Sequence, residues 1–193
     1  MKALEADPED FETNFNIGIL FYDQKKDAER AIHYLKIAIN EEKNATALFN
    51  LAAIYEEKGD RARAKEYYKE VLKVDAAHVQ AKVNLAIIFE KEGRGQEAHH
   101  QYQDALKHSP QEPKIFHNLG INMKRSGKLD DALQYYKNAM DLEPDNSIYL
   151  YNTGVLYNIK SDYLQAVEVL ERSIENNKDN VYAYLALGDA LER

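Results

Sequence analysis

Asparagine recurs at one phase along this chain, with 34 residues between successive members of the series. Asparagine forms helix poorly, at a cost of about 0.5 kcal/mol relative to alanine, yet the apolar residues around each member have helical spacing. A fixed period of this length restricts the chain to an array of similar units that pack on their neighbours. We call the series the asparagine ladder; its members are Asn16, Asn50, Asn84, Asn118 and Asn152.

The other recurring residues keep the same period. Two residues after each ladder member stands a small residue: Gly18, Ala52, Ala86, Gly120 and Gly154. Later in each unit a small residue is followed by a bulky residue four positions on and another small one three further, as in Ala132, Tyr136 and Ala139. The predicted repeats are 11–44, 45–78, 79–112, 113–146 and 147–180. Residues 1–10 are predicted to end a preceding helix, and residues 181–193 to form the first helix of an incomplete repeat.

Each repeat is predicted to be a helical hairpin. Apolar residues three and four apart define two helical runs per repeat. Gly59, Gly93 and Gly127 separate the runs and can adopt a left-handed C-cap conformation. Pro110 and Pro144 mark the end of a second run, because proline cannot donate a helical hydrogen bond. The first repeat has a turn one residue longer, with Lys25 in place of glycine, and we expect an altered helix connection there.

This pattern resembles the tetratricopeptide repeat family over the whole chain. The family's series of bulky, Leu-Gly, aromatic, Ala, aromatic, Ala and Pro positions is matched here by Phe116, Leu119-Gly120, Met123, Ala132, Tyr136, Ala139 and Pro144. The resemblance implies an all-α solenoid in which helical hairpins stack into a right-handed superhelix and the first helices line a concave groove. It further implies a role in binding proteins rather than in catalysis.

The asparagine ladder is the centre of the predicted binding site. Its carboxamides can pair with the C=O and N–H groups of an extended peptide, and the ladder resembles the substrate-binding row in the repeat arm of O-linked N-acetylglucosamine transferases. Duplicated repeats also inherit residues that are not used, so this alternative stays open. The predicted peptide-binding residues beside the ladder lie next to it or three positions beyond it: Phe15, Phe49, Ile87, His117, Ile121 and Tyr151. Val83, immediately before Asn84, is expected on the same groove-facing side.

Charge along this face changes sign between repeats. Acidic residues such as Glu56 and Glu90 occupy the first three repeats, whereas Lys114, Lys124 and Arg125 occupy the fourth and complete the predicted peptide-binding set. A ligand with a basic end and an acidic end would suit this polarity; the alternative is a solvated rim unrelated to binding. Some members of this family form a chaperone-tail clamp, which grips a C-terminal carboxylate with a lysine early in the first helix, at the leading lysine slot. This chain departs from that pattern, because none of the corresponding positions holds lysine.

Composition argues against several other functions. A net charge of −8 and a pI near 5.3 disfavour binding to nucleic acid and to anionic membranes. We expect no transmembrane segment, no signal peptide, and an intracellular, by default cytoplasmic, location. The absence of cysteine removes thiol chemistry, and adjacent His99 and His100 point about 100° apart on a helix, which suits no metal. We find no catalytic constellation and expect neither cofactor nor metal.

The sequence therefore predicts a non-enzymatic scaffold that binds an extended peptide or protein segment. Two alternatives remain. The chain could be a structural subunit of a multiprotein assembly that uses its ends or convex face, including end-to-end self-association. It could also be the substrate-recruiting, non-catalytic arm of a larger enzyme, since the two incomplete repeats suit an excerpt from a longer array.

Overall fold

The computed structural model describes residues 10–193. The helix end predicted for residues 1–10 lies outside this range, apart from Asp10. In the described residues there are eleven α-helices and no strand. They are α1 (Phe11–Asp23), α2 (Ala28–Glu41), α3 (Ala45–Glu57), α4 (Arg61–Val74), α5 (Val79–Lys91), α6 (Gly95–His108), α7 (Pro113–Arg125), α8 (Leu129–Leu142), α9 (Ser147–Ile159), α10 (Tyr163–Asn176) and α11 (Val181–Leu191).

The helices form two compact units, one ending at Glu92 and the other running from Gly93 to Arg193. In the first unit α1 pairs with α2 and α3 pairs with α4, while α2 packs on α3 and α4 on α5. In the second unit α7 pairs with α8 and α9 with α10, α6 packs on α7, α8 packs on α9, and α11 packs on both α10 and α9. Each unit is therefore a stack of helices in chain order, which confirms the predicted all-α class.

Local capping chemistry sets the starts of the first helices. α1, α3, α5, α7 and α9 begin 34 residues apart. The side chains of Asp10, Asn44 and His78 accept hydrogen bonds from backbone N–H groups in the first turns of α1, α3 and α5. Asn146 does the same for α9, and Pro113 supplies the first residue of α7. These contacts satisfy amides that a helix start leaves without partners.

Left-handed residues lie in the turns that follow the first helices. Gly59, Gly93 and Gly127 have φ of +79°, +77° and +74°, as the sequence predicted. Lys26 and Ser161 occupy the corresponding turns at φ of +53° and +63°, a conformation that side chains disfavour. The turn between α1 and α2 is one residue longer than that between α3 and α4, and the next loop is one residue shorter, so α3 regains the 34-residue register.

The core follows the small–bulky–small seam of the second helices. Every member of this seam is fully buried: Ala31, Leu35 and Ala38; Ala64, Tyr68 and Val71; Ala98, Tyr102 and Ala105; Ala132, Tyr136 and Ala139; Ala166, Leu170 and Ser173. In three hairpins the bulky residue fills the space beside a glycine of the first helix: Leu35 beside Gly18, Tyr136 beside Gly120 and Leu170 beside Gly154. Tight packing of this kind leaves the remaining faces of the first helices available for other contacts.

Candidate functional site

The asparagine ladder lies at the sixth residue of each first helix. Asn16, on α1, is exposed, and the other four members, on α3, α5, α7 and α9, are half-buried. The small residues two positions further on are all buried in the hairpin contacts. Because two residues on a helix differ by about 200° in direction, the ladder side chains turn away from those contacts. The ladder thus lies on a partly accessible face.

The side chains beside the ladder pack against other residues of their own units and are partly buried. Phe15 stacks on Phe11 with ring centroids 5.7 Å apart, and Phe49 stacks on His78 at 4.9 Å. Ile121 and Tyr151 pack against core clusters of the second unit, and Ile87 is half-buried. All five keep accessible surface. Val83 does not follow this pattern: although its position next to Asn84 suggested an accessible side chain, it is 8% exposed and belongs to the core.

Asn84 is held within the first unit by hydrogen bonds at both ends of its carboxamide. Its Nδ2 donates to the Tyr68 hydroxyl oxygen at 2.8 Å, and its Oδ1 accepts from Gln80 Nε2 at 2.8 Å. The Tyr68 hydroxyl donates in turn to Glu56 at 2.9 Å. Burial and this bond to Glu56 raise the pKa of the Tyr68 hydroxyl. Asn84 therefore has a structural partner that its position in the repeat did not indicate.

Asn152 is held in the second unit by a different partner. Its Nδ2 lies 3.1 Å from His117 Nε2, on the preceding first helix, and 2.9 Å from the Ile148 carbonyl oxygen. The His117 ring lies 5.6 Å from the Tyr136 ring and 5.0 Å from the Tyr149 ring. Burial lowers the pKa of His117 to about 4, and the charge of Lys124 acts in the same direction. His117 is therefore neutral at pH 7 and accepts the Asn152 amide proton.

The remaining ladder members keep unused hydrogen-bonding capacity. The side chains of Asn16, Asn50 and Asn118 make no hydrogen bond with any residue that the structure describes. Asn50 and Asn118 are nevertheless half-buried. Polar groups removed from bulk water are usually satisfied by a partner or by ordered water, so these carboxamides are the members best suited to an external ligand.

The basic residues predicted for the fourth repeat all lie on α7, in the second unit. Lys114 and Arg125 are exposed, and Lys124 is half-buried. Burial lowers the pKa of the Lys124 ammonium, and the neighbouring charge of Arg125 lowers it further. By contrast, Glu56 in the first unit lies 3.9 Å from Lys91 Nζ as well as accepting from Tyr68.

Two further observations concern metal binding and membrane insertion. Across residues 10–193, no group of three or more histidine or acidic side chains is arranged to hold a metal ion. None of the helices in that stretch combines the length and apolar character needed to cross a membrane.

The comparisons agree with the repeat architecture. Family models described as tetratricopeptide repeat match residues 49–113 and 113–146, an uninterrupted stretch. The crystal structure of YrrB, described as a tetratricopeptide repeat protein with an unusual peptide-binding site, is 24% identical. It covers 96% of this chain, with 95% of its own length matched, at a TM-score of 0.80.

Other solved structures share the fold at lower identity. MamA from Desulfovibrio magneticus RS-1 is 20% identical, covering 89% of this chain and 97% of its own, with a TM-score of 0.80. A chain of the Cut9–Hcn1 hetero-tetramer of the APC/C is 17% identical, covering 98% of this chain and 38% of its own, with a TM-score of 0.75. A search of curated protein sequences gave no match.

Stacked helical hairpins with a buried small–bulky–small seam define an α-helical repeat protein. This chain belongs to the tetratricopeptide repeat family. Members of the family are generally protein-interaction scaffolds that bind proteins or peptides, and the fold is typically non-catalytic.

Proposed function

We propose that this protein is a non-enzymatic scaffold that binds an extended peptide segment along the faces carrying the asparagine ladder. The observation that carries the proposal is the state of Asn50 and Asn118, which are half-buried in helices yet have no side-chain partner among residues 10–193. A carboxamide supplies one acceptor and two donors, which match the C=O and N–H groups of an extended backbone. Backbone contacts of this kind would give affinity without reading the ligand's sequence.

Apolar surface beside the ladder would provide contact area. Ile87 on α5 and Ile121 on α7 lie three residues beyond a ladder member and remain partly exposed. Phe49 and Tyr151 each stand one residue before a ladder member and add partly exposed aromatic rings. Aromatic and aliphatic anchors of this kind dominate binding energy at protein interfaces. The similar fold of YrrB, whose description includes a peptide-binding site, is consistent with this use of the repeats.

A peptide selection tests the proposal. Phage-displayed random dodecapeptides are selected on the immobilised protein, and dissociation constants of the enriched peptides are then measured by fluorescence anisotropy. We expect Asn50→Ala and Asn118→Ala each to weaken binding about tenfold, the equivalent of one lost hydrogen bond of about 1.4 kcal/mol. Asn40→Ala is the matched control, because Asn40 is an exposed asparagine on the second helix α2.

The result can exclude this mode of binding. If no peptide is enriched, the protein does not bind extended segments through these faces. If peptides are enriched but both ladder variants bind them as tightly as the Asn40→Ala control, the carboxamides take no part. Circular dichroism of each variant checks that the helices are intact.

A second candidate function, as a subunit of a larger assembly, is favoured by α11. Tyr182, Leu185 and Leu191 on this helix are 69%, 62% and 66% exposed. A β-carbon on Gly188 would meet no atom within 4 Å, whereas one on Gly154, at the same position of α9, would lie 2.5 Å from Leu170 Cγ of α10. We infer that an amphipathic helix packs on α11 as α10 packs on α9, with leucine or tyrosine facing Gly188.

This second candidate has its own test. A synthetic peptide with the sequence of α10 serves as the probe, and backbone amide shifts of α11 are followed by NMR. Saturable shifts that disappear in a Gly188→Leu variant, whose side chain fills the slot, would support the candidate. Absence of shifts, or self-association by light scattering that leaves α11 unaffected, would overturn it.

A further inference from the structure

One position on the first helices changes charge between repeats. It lies six residues after each ladder member, in the last turn of the helix, and holds Tyr22, Glu56, Glu90, Lys124 and Asn158 in chain order. We call it the last-turn position. A lysine therefore stands where the two preceding repeats have glutamate.

Two contacts between first helices show where the side chain at this position points. In the first unit the Glu56 carboxylate lies 3.9 Å from Lys91 Nζ, on the next first helix, α5. In the second unit Asn158 Nδ2 donates to the Ala186 carbonyl oxygen of the next first helix, α11, at 2.7 Å. The last-turn side chain is thus directed toward the following first helix.

Lys124, at the same position, has no comparable contact in the described part of the chain. It makes no hydrogen bond or ion pair with any residue in the described part of the chain, although it is half-buried. The residue that corresponds to Lys91 for Lys124 is Ile159, which is apolar. The neighbouring charge that acts on the Lys124 ammonium is that of Arg125, which is also positive.

A second titratable side chain lies near Lys124, but it is neutral at pH 7. His117 lies two helical turns earlier on the same face of α7, where it contacts Asn152 of α9, and the Lys124 charge lowers its pKa. Elsewhere in the protein, other lysines pair with carboxylates, including Lys65 with Glu92 at 2.5 Å and Lys107 with Asp104 at 3.2 Å. A partly desolvated ammonium without a counter-charge is costly to the folded protein, and a carboxylate bound beside it would remove that cost.

We propose that Lys124 is a carboxylate-binding subsite and that the peptide segment lying over α7 is acidic. The subsite rests on the proposed peptide-binding function and names its ligand class at this repeat. The Lys124 ammonium donates a charge-assisted hydrogen bond to a side-chain carboxylate or to a free C-terminal carboxylate. The Asn118 carboxamide forms hydrogen bonds with the backbone of the same peptide. This position differs from the leading lysine slot of the chaperone-tail clamp, which holds His117 in this repeat.

The test compares peptide selections on three proteins: the wild type, Lys124→Glu, and Lys178→Glu. Lys178 is an exposed lysine in the loop before α11, so its replacement changes net charge by the same amount. Random peptides are displayed in two formats, internal and with a free C-terminus. We expect Asp and Glu to be enriched on the wild type and on Lys178→Glu, and Lys and Arg to replace them on Lys124→Glu. Enrichment confined to the free-end format identifies a terminal carboxylate as the ligand.

A second variant keeps the test valid if Lys124→Glu folds poorly. Lys124→Met retains the apolar stem without the charge. We expect its thermal midpoint without peptide to equal or exceed that of the wild type. We also expect about tenfold weaker binding of a selected acidic peptide, and no further loss when the peptide's acid is replaced by its amide.

The outcomes separate the two proposals. If peptides bind without acidic enrichment, or if Lys124→Met binds them unchanged, the subsite is overturned while the scaffold function stands. If no peptide is selected in either format, both proposals fail together.

Discussion

Gly120 of α7 lies directly against the ring of Tyr136 on α8: a β-carbon built on Gly120 would be 2.3 Å from Tyr136 Cδ1 and Cε1. Real carbon atoms do not approach so closely, so this hairpin closes around a residue without a side chain. Tyr136 is itself fully buried between small residues of its own helix. The contact thus fixes how near α7 and α8 can come.

Replacing Gly120 with valine is expected to destabilise the protein by about 3 kcal/mol, because the ring of Tyr136 cannot move aside in a close-packed core. Gly188→Val is the matched control at the same repeat position, where an added side chain meets nothing within 4 Å. It should change stability by less than about 0.5 kcal/mol, since valine forms helix slightly better than glycine. Urea unfolding followed by circular dichroism measures both. Equal effects would show that the helix contact is not the cause.

Ser161→Gly is expected to stabilise the protein by about 1 kcal/mol. Ser161 adopts φ of +63° in the turn between α9 and α10, where a β-carbon is strained and glycine is not. The reverse change, Gly127→Ser, occurs in the corresponding turn between α7 and α8 at φ of +74° and should destabilise by a similar amount. Thermal unfolding by calorimetry tests the pair. A stabilising Gly127→Ser would contradict the explanation.

Asn84 and Asn50 should respond differently to replacement by alanine in the absence of any ligand. Asn84→Ala removes the hydrogen bond to Tyr68 and is expected to cost about 1 kcal/mol. Asn50→Ala removes no such bond and should gain about 0.5 kcal/mol from the better helix propensity of alanine. A double-mutant cycle of Asn84→Ala with Tyr68→Phe should give a coupling near 1 kcal/mol. A coupling near zero would mean that this hydrogen bond contributes nothing.

His117 should make stability depend on pH between about 4 and 6.5. Its pKa is about 4 in the folded protein, below the ordinary value of 6.5, so in this window the unfolded chain binds the proton and the folded chain does not. The free energy of unfolding should therefore fall as pH falls through the window, by about 3 kcal/mol, and this contribution should level off below pH 4.

Unfolding curves at a series of pH values test this expectation in the wild type and in His117→Phe. The phenylalanine ring keeps the place between Tyr136 and Tyr149 but cannot titrate, so the slope assigned to His117 should disappear. His33→Phe, at an exposed position of α2, should retain it. Identical slopes in the wild type and His117→Phe would show that another group is responsible.

The helices and the core could be predicted from the sequence, because they depend on the spacing and type of residues within each repeat. The seam around Tyr136, the left-handed Gly127 and the longer first turn could all be read from spacing and residue type. Each depends on contacts between residues near in sequence or within a single hairpin. The burial of Val83 shows the limit of this reasoning, because its position beside Asn84 indicated an accessible side chain and packing decided otherwise.

The sequence by itself determined the 34-residue register, the hairpins and the small–bulky–small core, since a repeated pattern of side-chain size and capping residues permits few other structures. Only the tertiary structure decided that Asn84 bonds to Tyr68, that Asn152 bonds to His117, and that Lys124 has no counter-charge. Those relations join side chains from different helices, several from different repeats. They depend on how each helix is rotated against the next and on rotamer choice, neither of which the pattern of a single repeat specifies.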